Sequence, residues 1–327
     1  MNLTSLITRI RSYPGLTRKQ PIQEVFQKLV SEQTFGPQLP NYGDDAAVIP
    51  WGEGFLLLAA DGIMPQLLIN EPYAAGKAAV MVSVNDVYSM GGRPVAMVNV
   101  LAYGDPDRRA EVVEGIKKGC QKLKVPMVGG HLHPDAPDRA PALSVAILGS
   151  AKKVLRSHLA RAGEDLVLAV DLRGQRGCRS VVSWDANSGK SSQEILDRLE
   201  VLPMIAERGW AWAAKDVSNA GILGTTAIMM ENSGKGALID LSSIPRPGDI
   251  DKSDWLVAFQ SYSFILSVPP EYTSRVRALF MSRGIEAAII GTVTTDQEVI
   301  VRDGSRQETL FDFSQDRITG VRYSEMP

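Results

Sequence analysis

Asp86 lies in the middle of a segment that offers it almost no polar surroundings. The run Lys77-Ala78-Ala79-Val80-Met81-Val82-Ser83-Val84-Asn85-Asp86-Val87-Tyr88-Ser89-Met90-Gly91-Gly92-Arg93-Pro94 is apolar or small on nearly every side. That composition suits a helix packed closely on a sheet and ended by the two glycines. An unpaired carboxylate in such a helix would cost several kcal/mol. Two more aspartate groups stand beside apolar runs, at Gly43-Asp44-Asp45 and Ala60-Asp61-Gly62. Taken singly, each reads by default as a turn. Gathered together, carboxylates repel one another and resist desolvation unless a cation neutralises them. The economical reading is a magnesium site, and magnesium held by aspartates commonly serves a nucleotide phosphate.

The rest of the composition narrows the class. At 327 residues the chain is long enough for two domains. A hydrophobic share of 44% and a charged share of 22% are those of an ordinary globular protein. The net charge of -2, without any Lys/Arg block, gives no electrostatic footprint for nucleic acid. The first residues lack a signal-peptide core and no apolar run reaches spanning length, so no membrane role is expected. Cys120 and Cys178 form neither a disulfide framework nor a metal spacing and read as reduced thiols of a cytoplasmic protein.

Pattern along the chain predicts a helix from Pro21 to Val30, a loop at Phe35-Gly36-Pro37, strands Ala46–Ile49 and Phe55–Ala60, and a helix from Ala74 to Met90. Strand Pro94–Tyr103, helix Asp105–Leu123 and strands Val125–Val128 and Ala142–Gly149 complete a mixed sheet with its helices on one face. A boundary near Ser150-Ala151-Lys152-Lys153 divides the chain into 1–150 and 151–327. The second half alternates again: strand Asp165–Asp171, helix Ser192–Arg208, strand Ala211–Asp216, helix Ala220–Asn232 and strand Ala237–Leu241. Strand Ser263–Val268, helix Glu271–Arg283 and the hairpin Ala287–Val293 with Glu298–Arg302 follow.

Two other motifs carry chemistry. Gly129-Gly130-His131-Leu132-His133-Pro134-Asp135 invites a zinc reading, since alternate residues of an extended segment can face one metal. With only three histidines in the chain, a polar strand-ending loop competes with it. Lys215-Asp216-Val217-Ser218-Asn219-Ala220-Gly221 runs from a strand into a helix start. Free N–H groups there favour a phosphate, with Ser218 adding a hydroxyl. The plainer role is a helix cap by Ser218 or Asn219.

In this order the motifs resemble the aminoimidazole ribonucleotide (AIR) synthetase-like superfamily of ATP-using enzymes, and within it the thiamine-monophosphate kinases. The matching pieces are Gly43–Val48, Asp61, Val84–Pro94, Gly129-Gly130-His131, Val154–Ser157 through Gly163–Asp165, Asp216–Asn219 and Tyr262–Pro269. The resemblance implies a two-domain α+β and α/β architecture: an N-terminal mixed sheet joining a barrel across a homodimer, and a C-terminal α/β domain. It implies ATP and Mg2+ in the cleft between the domains. Asp44, Asp45, Asp61, Asp86 and Asp216 correspond to metal ligands, with His131 at a further metal position. Arg156 and Ser218 correspond to nucleotide contacts, beside Asn219. The kinases carry aspartate where this chain has His131 and Asn219.

The expected activity is transfer of the γ-phosphoryl group of ATP to an oxygen of a small molecule, in a kinase or an ATP-activated ligase, with no catalytic residue singled out. A non-catalytic nucleotide- or metabolite-binding protein on the same fold is the alternative, and a zinc hydrolase built on His131 and His133 is a third.

Overall fold

The computed structural model describes residues 2–29 and 43–322, so Val30 and the expected loop at Phe35-Gly36-Pro37 lie outside the described residues. The chain opens with α1 (Leu3–Arg11), α2 (Pro14–Thr17) and α3 (Ile22–Leu29). α1 places Leu3, Leu6, Ile7 and Ile10 on one buried stripe, the spacing of an amphipathic helix. Asn2 caps it by accepting from the Ser5 N–H at 2.8 Å.

Next come β1 (Ala47–Trp51), β2 (Gly54–Gly62), α4 (Pro65–Asn70), α5 (Pro72–Ser89), β3 (Arg93–Ala102), α6 (Pro106–Leu123), β4 (Met127–His133) and β5 (Ala142–Ala151). The strands form a mixed sheet in the order β1-β2-β5-β3-β4, parallel only between β3 and β4. Period-2 alternation splits its faces. Leu57, Met97, Leu101, Val145 and Ile147 are buried on the face that α5 covers. Leu58, Val98 and Val100 are exposed on the other.

The second half contains β6 (Asp165–Val170), β7 (Gln175–Arg176), β8 (Ser183–Asp185), α7 (Ser192–Leu199), α8 (Val201–Arg208), β9 (Ala213–Asp216), α9 (Gly221–Ser233) and β10 (Gly236–Asp240). It ends with α10 (Lys252–Val257), β11 (Phe259–Gln260), β12 (Ser263–Val268), α11 (Pro270–Ser282), β13 (Glu286–Thr294), β14 (Glu298–Asp303) and β15 (Arg306–Asp312). Seven strands pair in the order β15-β14-β10-β13-β6-β12-β9, and β11-β8-β7 form a small separate sheet.

Three differences from the sequence expectation have local causes. The helix expected over Ser192–Arg208 is two helices, because Pro203 has no N–H to give the Leu199 carbonyl. β4 continues through Gly129-Gly130-His131, so that motif is strand and not the loop after it. β15 and α1 were not expected; α1 packs on β15, which ties the start of the chain to the second sheet.

Candidate functional site

The two sheets approach each other where β2, α5 and β9 end, and there the aspartates meet. Asp61 projects from the helix-covered face of β2, Asp86 from the last turns of α5, and Asp216 from the end of β9. Asp45 joins them from the turn before β1. Carboxylate oxygens of Asp45, Asp86 and Asp216 lie within 4.8 Å of one another. Asp61 adds a buried oxygen, Oδ2, without a hydrogen-bond partner among the described residues.

The electrostatics are those of crowded like charges. Burial, and then the charges of Asp61 and Asp216, push the Asp86 carboxyl well above the usual range. Burial and the neighbouring Asp45 push Asp216 up to about 8, against the opposing pull of Lys215. Lys215 Nζ donates to Asp45 Oδ1, and Ser89 Oγ donates to Asp45 Oδ2 at 2.7 Å. The lysine is buried, yet those acids hold its pKa above the ordinary value.

Asp44, one residue away, is in the opposite situation. Its side chain is 2% exposed and accepts from Arg156 Nε at 2.6 Å, from the Ser157 N–H at 2.7 Å and from Ser157 Oγ at 2.9 Å. Burial alone would raise its pKa; His158 and Arg156 outweigh that and bring it down to about 2. Asp44 and Arg156 thus fix the Gly43-Asp44 turn to the second domain, and Arg156 does not line the cavity beside the cluster.

That cavity, of about 610 Å³, is lined by Asp61, Asp86 and Asp216 at one end together with Ser218 and Asn219. α9 begins at Gly221 with Ala220 at its N-cap and no side-chain cap, so the capping role open to Ser218 and Asn219 is not taken. Asn219 Nδ2 points to Met64 Sδ at 3.1 Å, and its Oδ1 is buried without a partner among the described residues.

His131 is elsewhere. It pairs with Val100 across β3 and β4 and so points to the outer face of the sheet, away from α5. Its ring lies 4.6 Å from that of His133. Within one chain it is not brought to the aspartates. The two histidines do share a face, but the acidic cluster is on the other side of the sheet.

One residue had no signal in the sequence. Lys19, in the turn after α2, lines the cavity with the aspartates. No hydrogen bond or ion pair of its ammonium is found among the described residues, and its pKa is lowered, by burial first and by Lys215 second, with Asp216 and Asp45 opposing. Gly15 makes this placement possible: a Cβ there would stand 1.9 Å from the Asn219 carbonyl oxygen. In the sequence Arg18-Lys19-Gln20 looks like any solvated turn.

The crowded acidic cluster lies between the two halves of a two-domain protein. Residues 43–151 match the N-terminal domain of AIR synthase related proteins and residues 176–304 match the C-terminal domain. The chain belongs to the AIR synthase related family. It is 35% identical to an uncharacterized protein of Synechocystis sp. over 97% of this chain and 98% of that one. It is 37% identical to an uncharacterized protein of Methanocaldococcus jannaschii over 98% and 100%. Among solved structures, Thermotoga maritima PurL complexed with ADP superposes with a TM-score of 0.76 at 18% identity, over 94% of this chain and 51% of that one. The chain thus spans about half of that PurL. A ThiL complexed with AMPPCP and TMP superposes with a TM-score of 0.66 at 18% identity, over 89% and 96%. These likenesses establish the two-domain α+β fold. Among the described residues no helix is long and apolar enough to cross a membrane.

Proposed function

We propose that this chain is an Mg2+-dependent enzyme that binds ATP and transfers its γ-phosphoryl group to an oxygen of a small molecule, as a kinase or as the activating step of a ligase. The observation that carries this reading is the meeting of Asp45, Asp86 and Asp216 at the end of a cavity, with an Asp61 oxygen beside them that has no hydrogen-bond partner among the described residues. Hard oxygen donors that repel one another suit Mg2+, and these four residues would hold it. The ions would neutralise charge on the phosphate oxygens. The PurL and ThiL structures, complexes with ADP and with AMPPCP, support a nucleotide in the cleft.

The chain's own groups supply the rest. The helix start at Ser218-Asn219, which no side chain caps, offers N–H groups and a hydroxyl to a phosphate. Lys19 faces the same space with its charge uncommitted and is suited to the terminal phosphate. Asp44 and Arg156 hold the Gly43 turn, which positions Asp45. In the reaction the acceptor oxygen forms a bond to phosphorus as the bond to the ADP oxygen breaks, and the acceptor proton passes to water. The exposed Leu58, Val98 and Val100 face of the first sheet fits a second copy of the chain, which would make a homodimer.

A non-catalytic binding protein on the same fold is the second reading. Lys215 favours it, because its ammonium already neutralises Asp45.

Mg2+ with ADP should raise the melting temperature by mass action, and Asp86→Asn should abolish the rise. An unaltered response in the variant sinks the site. Turnover of ATP with a panel of acceptors, set against binding alone, separates enzyme from binder.

A further inference from the structure

The cavity extends well beyond the aspartates, and α5 forms its floor. The lining residues on this helix are Ala74, Lys77, Ala78, Met81, Val82 and Asp86, a single stripe at helical spacing. Lys77 and Asp86 are nine positions apart on α5, a rise of about 13 Å at about 1.5 Å per residue. The floor therefore reads in order: an anionic end at Asp86, an apolar stretch at Val82, Met81 and Ala78, and a cationic end at Lys77. Met64, Leu67, Val181 and Phe259 face the apolar stretch from the other walls.

A second lysine strengthens the cationic end. α6 lies unusually close to α5, because a Cβ on Gly115 would stand 2.2 Å from the Tyr73 carbonyl and one on Gly76 2.1 Å from the Val112 carbonyl. Lys122, near the end of α6, lines the same cavity, and its ammonium reaches the Lys190 carbonyl, two residues along the chain from the Ser188 that Lys77 reaches. Both ammonium groups bond only neutral oxygens among the described residues: Lys77 Nζ donates to Ser188 Oγ at 3.3 Å and Lys122 Nζ to the Lys190 carbonyl.

The acids nearby are already satisfied. Glu71 accepts from the Arg179 and Ser180 N–H groups and from Ser180 Oγ. Asp185 feels the Lys77 charge, but its oxygens take the Asn187 and Ser188 N–H groups at 2.9 Å each and Ser188 Oγ at 2.5 Å. Arg176, also on the cavity wall, is 3.7 Å from Asp254.

We infer that the phosphoryl acceptor is an amphiphilic anion: an oxygen nucleophile at the Asp86 end, an apolar body over Met81 and Ala78, and a carboxylate or phosphate held by Lys77 and Lys122. This rests on the proposed phosphotransfer and specifies its substrate class. The apolar stretch excludes a polar sugar along that floor, and the lysine pair excludes a neutral or cationic far end.

The test uses the full chain and calorimetry with ω-hydroxydecanoate, decyl phosphate and ω-hydroxydecanamide, each with and without Mg2+ and ADP. The two anions should bind at least tenfold more tightly than the neutral amide, and their ranking distinguishes a carboxylate site from a phosphate site. Lys77→Met and Lys122→Met should each remove the preference for anions while leaving the affinity for Mg2+ with ADP as in the wild type. Equal binding of acid and amide, or binding of none, overturns the inference. So does a loss of ADP affinity in the lysine variants, because the lysines would then serve the nucleotide. If the wild type ignores ADP but prefers the anions, the phosphotransfer reading fails and the anion site stands.

Discussion

Two carboxylates among the described residues are buried in α-helices, and their surroundings are opposite. Glu231, on α9, is 0% exposed and accepts from the Ile318, Thr319 and Gly320 N–H groups at 2.9, 2.8 and 3.2 Å and from Thr319 Oγ1 at 2.7 Å. It fastens the segment after β15 to the second domain. Asp86, on α5, is 9% exposed and faces Asp61, Asp216 and Asp45. A buried charge surrounded by donors is part of the fold's own stability. A buried charge surrounded by other charges of its sign is stable only with something from outside. On this contrast Glu231 is a structural acid, and the surroundings of Asp86 support the ligand-binding role proposed for it.

The sharpest way to break that contrast is to remove each carboxylate. Glu231→Ala leaves three N–H groups and a hydroxyl without their acceptor and should lower the unfolding free energy by about 3–5 kcal/mol, as for a broken buried charge network. Urea unfolding measures it. A cost below about 1 kcal/mol would mean that these donors find water instead, and the distinction would lose its structural half. Asp86→Asn relieves repulsion, and without divalent cations it should leave the protein unchanged or more stable by up to about 2 kcal/mol. The same variant should lose its response to Mg2+. If it is destabilised as strongly as the Glu231 variant, Asp86 belongs to the structural class.

The pH dependence should divide in the same way. Asp216 has its pKa raised to about 8, so the folded state holds a proton that the unfolded state releases near pH 4. Its contribution is complete below pH 4 and is lost as pH rises through 8. Asp44 has its pKa lowered to about 2, so its contribution is complete above pH 4 and is lost as pH falls towards 2. Melting temperatures in chelator from pH 3 to 9 should show both slopes. Mg2+ should flatten the alkaline one, since the cation replaces the proton. An alkaline slope unaffected by Mg2+ would separate Asp216 from the cation site.

How much of this was legible beforehand follows from what kind of signal each part carries. The α5 helix and the sheet beneath it announce themselves by periodicity, and Asp86 was conspicuous because a charge violates that periodicity. Asp45, Asp61 and Asp216 were found as members of motifs at strand ends. The different fates of Asp44 and Asp45 could not be read, since adjacent identical residues diverge only once Arg156 and Lys215 arrive from more than a hundred residues away. His131 misled for a similar reason: β4 runs longer than its glycines suggest, and strand parity turns the ring to the outer face. The break at Glu200 between α7 and α8 was marked by Pro203, which the helical spacing around it concealed.

Lys19 completes the contrast from the cationic side. Lys215 is buried and already committed to Asp45, whereas Lys19 faces the cavity with its ammonium uncommitted among the described residues. A committed lysine helps to hold the fold, and an uncommitted one is available to a ligand. Lys215→Met should therefore lower stability in the absence of any ligand. Lys19→Met should leave stability nearly unchanged and weaken a non-hydrolysable ATP analogue about tenfold, the loss of one charge-assisted bond. ADP affinity should be unaffected, because the terminal phosphate is the one at issue, and Lys19→Arg should recover part of the loss. Calorimetric titrations of the two nucleotides with Mg2+ decide it. Equal weakening of both nucleotides would move Lys19 to the inner phosphates, and no weakening of either would return it to the solvated turn that its sequence suggests.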